Sequence, residues 1–204
     1  GHRSKKLMKK KVSKRFKKLL ENSKIAKTST VEEALKMVQK NCTTKFDESI
    51  DVYFHLNLKQ KKEEVGLRTS VKLPNGNGKK IKIAVLCEDS KISEAKESGA
   101  EMFGSETLFK DINEGKIKFN KLVSTPAMMS KIGKLGKILG PKGLMPNPKL
   151  GTVTNNIKSI VKALKTGQIE IKNDKDGNVG ASIGKKSFSD AKVVENFKSL
   201  IQTI

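Results

Sequence analysis

Ile81-Lys-Ile-Ala-Val-Leu-Cys87 is a near-continuous apolar run broken by a single lysine. A strand with one wet face alternates apolar and polar residues, whereas a strand covered on both faces has no need to. The run therefore predicts an interior strand of a parallel sheet, and it asks for helices on both sides. The residues that follow supply them. Residues 90–98 read as a helix stopped by Gly99, 101–103 as a short strand, 106–113 as a helix stopped by Gly115, and 119–125 as another strand. Pro126 then opens a helix at a position suited to proline. Further on, Asn155 or Asn156 caps a helix whose Ile157, Ile160, Val161 and Leu164 share a face, and Gly167 ends it. The block reads as a small α/β unit with a parallel sheet, and Cys87 reads as core.

Upstream the texture changes. Ile50, Val52, Phe54, Leu56 and Leu58 alternate with Asp51, Tyr53, His55 and Asn57, the pattern of a half-buried strand with one wet face. His55 on that wet side reads as a lone surface histidine. A second strand at 69–73 ends at Pro74-Asn-Gly-Asn-Gly78, which suits a turn or linker. Thr30-Val-Glu-Glu33 is a capping box opening a helix with Val31, Ala34, Leu35 and Val38 on one face, and residues 16–22 are helical before it. Residues 1–18 carry ten basic side chains and no acid, a solvated arm that can order on RNA. Downstream, residues 168–172 and 179–183 are expected to form a hairpin around 173–178. Ser189 starts a last helix with Val193, Val194, Phe197, Leu200 and Ile201 inward.

Composition narrows the function. The 204 residues hold 43 Lys plus Arg against 21 Asp plus Glu, a net charge of +22, with 35% hydrophobic residues. Such a chain can bury a core, yet its charge repels itself unless a polyanion neutralises it. Nucleic acid or an anionic membrane is the expected class of partner. No apolar run approaches a spanning length and no secretory h-region is present, so a soluble, unexported chain is expected. Cys42 and Cys87 lack zinc or disulfide spacing and suit a reducing compartment. Only His2 and His55 supply imidazole, which disfavours enzymes and leaves no catalytic residue, metal site or cofactor to name. Eight Phe, one Tyr and no Trp make a poor single-strand stacking platform; a basic, aromatic-poor surface suits structured RNA better.

The most unusual stretch is Ser130-Lys-Ile-Gly-Lys-Leu-Gly-Lys-Ile-Leu-Gly-Pro-Lys-Gly-Leu-Met-Pro-Asn-Pro-Lys-Leu-Gly151, where lysines, glycines and prolines interleave without an acid. Glycines allow close approach of backbone to phosphate, and unopposed lysines raise the local potential. The spacing is not that of an NTPase phosphate loop, and an ordinary basic surface loop would read the same way. Within this stretch, Leu139-Gly-Pro-Lys-Gly-Leu-Met-Pro-Asn-Pro-Lys-Leu-Gly-Thr-Val-Thr154 closely resembles the signature of the large-subunit ribosomal protein L1 family in its bacterial or organellar form. Lys45-Phe-Asp-Glu-Ser49, Leu73-Pro-Asn-Gly-Asn-Gly-Lys79, Ser98-Gly-Ala100, Thr125-Pro126, Asn173-Asp-Lys175 and Gly184-Lys-Lys-Ser-Phe188 match in the same order, so the resemblance covers about residues 13–204.

The resemblance implies α/β and α+β parts in a two-domain protein. An α/β domain with a small parallel sheet, residues 77–167, is inserted into a split α+β domain made of 1–76 plus 168–204. It implies a monomeric, non-enzymatic constituent of the ribosome, off the membrane, that binds the L1 stalk of large-subunit rRNA near the tRNA exit site and assists release of deacylated tRNA. The alternative it implies is a translational repressor bound to a stalk-like fold in its own mRNA. Carried over by position, the RNA surface comprises Lys45, Phe46, Ser49, Asp51, Lys172, Asn173, Lys185 and Ser187. Lys134, Lys137, Lys142 and Lys149 are expected as secondary contacts to RNA or exit-site tRNA. Phe46 can pack on a ribose or base, but its hydrophobicity suits the core equally well. Asp51 stands where the family usually has glutamate, which shortens its reach. The family's C-terminal strand with its Thr-Met-Gly motif has no counterpart before Ile204. A first residue of Gly rather than Met, and a basic arm with no match, suit a processed protein of the mitochondrial matrix ahead of a bacterial cytoplasmic one carrying a cloning scar.

Overall fold

A computed structural model describes residues 12–22, 29–56 and 66–204. The expectations placed on residues 1–11 of the basic arm, and on Asn57 and Leu58, lie outside the described residues. By its internal contacts the chain divides into Gly1–Glu48 and Ser49–Ile204.

The described part of the first unit contains α1 (Lys14–Asn22) and α2 (Val31–Asn41). The Thr30 hydroxyl accepts from the Glu33 N–H, and the Glu33 carboxylate accepts from the Thr30 N–H, closing the expected capping box. Of the predicted apolar face only Leu35 is buried, while Val31 and Val38 are exposed. Two short helices are too small to cover a full face.

The second unit runs through β1 (Ser49–His55), β2 (Arg68–Lys72), β3 (Ile83–Leu86), α3 (Ile92–Glu97), β4 (Met102–Gly104), α4 (Glu106–Asn113) and β5 (Lys121–Ser124). It continues through α5 (Met129–Gly133), α6 (Gly136–Leu139), α7 (Ile157–Thr166), β6 (Gln168–Lys172), β7 (Asn178–Lys185) and α8 (Asp190–Thr203). Strand β3 is the middle of a three-stranded parallel sheet, with β4 and β5 on either side. Its alternate residues explain the apolar run. Ile83, Val85 and Cys87 pack with Ala95, Val123, Ile157, Val161 and Leu164, while Ala84 and Leu86 pack on the other face with Leu108, Ile112, Leu122, Ile132 and Leu139. Asn156 caps α7, accepting from the Ser159 N–H, and Gly167 closes the helix in the left-handed region at φ +117°.

Gly167 also fixes where the chain re-enters. A Cβ there would lie 2.5 Å from the Gly76 Cα, so the two backbones cross at a distance that only glycine permits. Beside this crossing lies a cleft of about 290 Å³ whose walls include Lys79, Lys80, Lys165 and Phe188.

Two expectations are corrected here. The hairpin of 168–172 with 179–183 does not form: β6 pairs antiparallel with β2, β7 pairs antiparallel with β1, and between β6 and β7 there is no ladder, just the isolated Asn173–Val179 bridge beside the turn. The turn is as expected, with the Asp174 carboxylate accepting from the Asp176 and Asn178 N–H groups. Beyond it each strand leaves for a longer ladder with a distant partner, and cross-strand pairing outweighs sequence proximity. The second correction concerns α8. Val193, Asn196 and Leu200 form its buried stripe, and Ile201 is exposed. Asn196 is fully buried because its amide donates to the Gly76 and Ile183 carbonyls at 2.7 and 2.8 Å and accepts from the Asn75 N–H at 3.1 Å. Phe197 stacks on Phe54 of β1, with ring centroids 6.0 Å apart.

Candidate nucleic-acid interface

The wet face of β1 follows from its alternation. Ile50 is buried, whereas Ser49, Asp51, Tyr53 and His55 are exposed. Across the ladder Ser49 pairs with Lys185, Asp51 with Ser182, Tyr53 with Gly180 and His55 with Asn178. A bulge between Ile50 and Asp51 shifts the register by one residue and leaves Ile183 as the extra residue of β7. Lys185 Nζ donates to the Ser49 hydroxyl at 2.8 Å, so this predicted pair is brought together. The His55 ring is 2.9 Å from the Asn178 side-chain oxygen, so this histidine is paired rather than alone on its surface.

Lys172 and Asn173 sit at the end of β6, where Asn173 bridges to Val179 at the start of β7. Lys185 ends β7, and Ser187 lies exposed just beyond it. The expected contacts from the later segment therefore fall at opposite ends of β7, roughly 23 Å apart at an ordinary strand rise. The Asp174 carboxyl beside them is held below its usual range by hydrogen bonds, first from the Asn178 side chain and then from the Asn178, Asp176 and Gly177 backbone. It stays ionised through the turn.

In the first unit, Lys45 and Phe46 occupy a bend over residues 44–46. The Thr44 hydroxyl donates to the Phe46 carbonyl and the Glu48 carboxylate accepts from the Thr44 N–H, which fixes the bend. Phe46 is 69% exposed and is not core. That removes the bland alternative open at the level of sequence.

The 130–151 stretch is not a plain loop. It contains part of α5, all of α6 and a 3-10 turn at Pro148–Leu150, and Ile132, Leu135, Leu139 and Leu150 are buried. Asn147 and Thr152 exchange hydrogen bonds at 2.8 and 3.1 Å, and Val153 bridges to Ser124. The apolar residues between the glycines do this anchoring, and they leave Lys134, Lys137, Lys142 and Lys149 exposed. Lys131, by contrast, is paired with Glu106. Among the described residues no group of three or more His, Cys, Asp or Glu could hold a metal, and no helix is long and apolar enough to cross a membrane.

Residues 38–204 match the model of the Ribosomal protein L1p/L10e family. The chain belongs to that family. Among L1 relatives it is 56% identical over 192 residues to the large ribosomal subunit protein uL1 of Pelagibacter ubique (strain HTCC1062), covering 94% of this chain and 84% of that protein. It is 44% identical over 194 residues to uL1c of Phaeodactylum tricornutum (strain CCAP 1055/1), covering 95% and 84%. With uL1 of Prochlorococcus marinus subsp. pastoris (strain CCMP1986 / NIES-2087 / MED4) it shares 46% over 196 residues, 96% of this chain and 83% of that one. The mitochondrial expectation gains no support from these L1 relatives.

The L1 resemblance left Tyr53 out of the candidate set. Alternation put it on the wet side, but its facing residue is set by a register between strands more than 120 residues apart, which no local pattern reveals.

Proposed function

We propose that this L1-family chain is a non-enzymatic structural protein of the large ribosomal subunit, that it binds the stalk region of large-subunit rRNA beside the tRNA exit site, and that it assists release of deacylated tRNA. The family match over residues 38–204 carries the reading. The exposed Phe46, the polar face of β1 and β7, and an acid-free lysine segment support it. Polar groups on a sheet face reach 2′-hydroxyls, and lysines neutralise phosphates. Lys134, Lys137, Lys142 and Lys149 serve as phosphate contacts to RNA or exit-site tRNA. The same reading divides the chain at the Gly76–Gly167 crossing, with 77–167 as an inserted domain and 1–76 plus 168–204 as the domain it interrupts. The ribosome in question is taken as bacterial in type, in keeping with the Pelagibacter relative.

Titration of the chain against a stalk stem-loop, a single strand of equal length and the leader of its own messenger tests the reading, together with co-sedimentation on large subunits. Preference for the stem-loop with co-sedimentation is expected. Equal affinity for stem-loop and single strand overturns the duplex reading, and tighter binding to the messenger leader without co-sedimentation favours a repressor.

A further inference from the structure

Between the two ends of β7, where the expected RNA contacts cluster, lies a strip that the family resemblance does not fill. Its centre is Tyr53, 75% exposed in the middle of a strand. The ring lies over Gly180 of the paired strand so closely that a Cβ at Gly180 would come within 2.6 Å of Tyr53 Cε1. Along the strip stand Asp51 and His55 with Asn178. An aromatic surface flanked by short donors and acceptors is what ribose edges and splayed bases recognise. A chain of +22 directs such a surface toward a polyanion.

We propose that the RNA-binding face continues along β1 and β7 past Asp51, and that Tyr53 stacks on a base or ribose of the bound RNA. The inference rests on the RNA-binding reading above and adds a residue to it. RNA that touches Lys172 and Asn173 at one end of β7 and Lys185 at the other crosses this strip, and Tyr53 stands at its middle with its ring free, among the described residues, of side-chain partners such as the one that holds the His55 ring. Gly180 lets the ring approach the neighbouring strand closely, and most of the side chain stays exposed for stacking. The competing role is structural, with the ring merely covering the bare backbone of Gly180.

Tyr53 is the only tyrosine, and the chain has no tryptophan, so tyrosine emission reports on this ring alone. Titrating the full chain with stalk RNA should quench that emission at the stoichiometric point, after correction against N-acetyltyrosinamide at the same RNA concentrations. Tyr53→Leu keeps Gly180 covered without an aromatic ring and should bind stalk RNA about ten-fold more weakly. Its salt dependence should be unchanged, because no phosphate contact is lost. Tyr53→Phe should bind like the parent. If Tyr53→Leu binds like the parent, or emission is unaffected at saturation, the ring is only a cover and the inference falls while the RNA-binding reading stands. If the parent itself shows no preference for stalk RNA, both fall together. Undiminished RNA binding combined with lost co-sedimentation would mark a protein contact instead and would overturn the stacking role.

Discussion

Asn196 offers the sharpest test of how the packing is specified. It sits in the apolar stripe of α8, yet its amide satisfies two backbone carbonyls and one N–H. Asn196→Leu keeps the branching of the side chain in a somewhat bulkier form and removes all three hydrogen bonds. Each unpaired backbone group costs about 1 to 3 kcal/mol. The Asn75 and Gly76 groups are only partly buried and recover some hydration, whereas the Ile183 carbonyl is buried. The net loss should be about 3 to 5 kcal/mol, a large share of the ~5 to 15 kcal/mol that usually holds a domain together. Asn196→Asp is more informative. It keeps the acceptor for the Asn75 N–H but turns a second oxygen toward the Gly76 and Ile183 carbonyls. Ionised, that oxygen is repelled; protonated, it donates to one of them. The folded state therefore raises this carboxyl above its ordinary value near ~3.9. Folded Asn196→Asp binds more protons than the unfolded chain across that interval, so its stability falls as pH rises and levels off above the folded-state value. Urea unfolding of parent, Asn196→Leu and Asn196→Asp at about pH 4.5 and 7.5 measures this. The reasoning is refuted if Asn196→Leu is within about 0.5 kcal/mol of the parent, or if the aspartate variant's deficit is the same at both pH values.

Three further outcomes are expected. Phe46→Ala should cost no more than about 1 kcal/mol of folding stability, because the ring is mostly exposed, but about 1 to 3 kcal/mol of stalk-RNA affinity; parent-like binding in a titration would remove Phe46 from the site. Lys142→Gln and Lys149→Gln should each lower the slope of log affinity on log salt by somewhat under ~1 and weaken all RNAs alike, and a sequence-selective loss would show that they read rather than attract. For Glu101, burial pushes the carboxyl up, but hydrogen bonds from the Ile83 N–H and Lys165 outweigh it and hold the folded value below the ordinary one. Its contribution is therefore present above the unfolded value and lost as pH falls through the folded one, so Glu101→Gln should flatten the acid limb of the stability curve, and superimposable limbs for parent and variant would contradict this.

The sequence displayed most of what depends on neighbours. The Thr30 and Asn156 caps and the Gly167 stop rest on contacts within a few residues, the run at Ile83 to Leu86 shows its double burial in its own composition, and all stand in the structure. What it hid depends on long-range pairing. The expected hairpin failed because β2 and β1 compete successfully for β6 and β7. Asn196 escaped notice because hydrophobicity cannot show a polar side chain whose partners come from a turn 120 residues away. The 130–151 stretch looked like a loop because its glycines and prolines mask Leu135 and Leu139, which are fully buried. At the candidate site, exposure of Phe46 had to be seen. Tyr53 had to be found opposite Gly180 before it meant anything.

The pairing of β1 with β7 also sets a timetable. Ser49 and Lys185 are 136 residues apart, and everything from β3 to α7 is translated between them. At about 5 to 20 residues per second, β1 emerges some ~6 to 25 seconds before its partner exists. The parallel sheet needs nothing beyond Thr166, so it can close while β1 and β2 still wait as single strands. Their polar and charged faces, with Asp51 and His55 on one and Arg68 and Lys72 on the other, discourage the waiting strands from pairing with a neighbouring chain. Assembly from the inside outward, with the earliest strands sealed last, is thus written into the connectivity, and α8 completes it by laying Asn196 over the finished crossing.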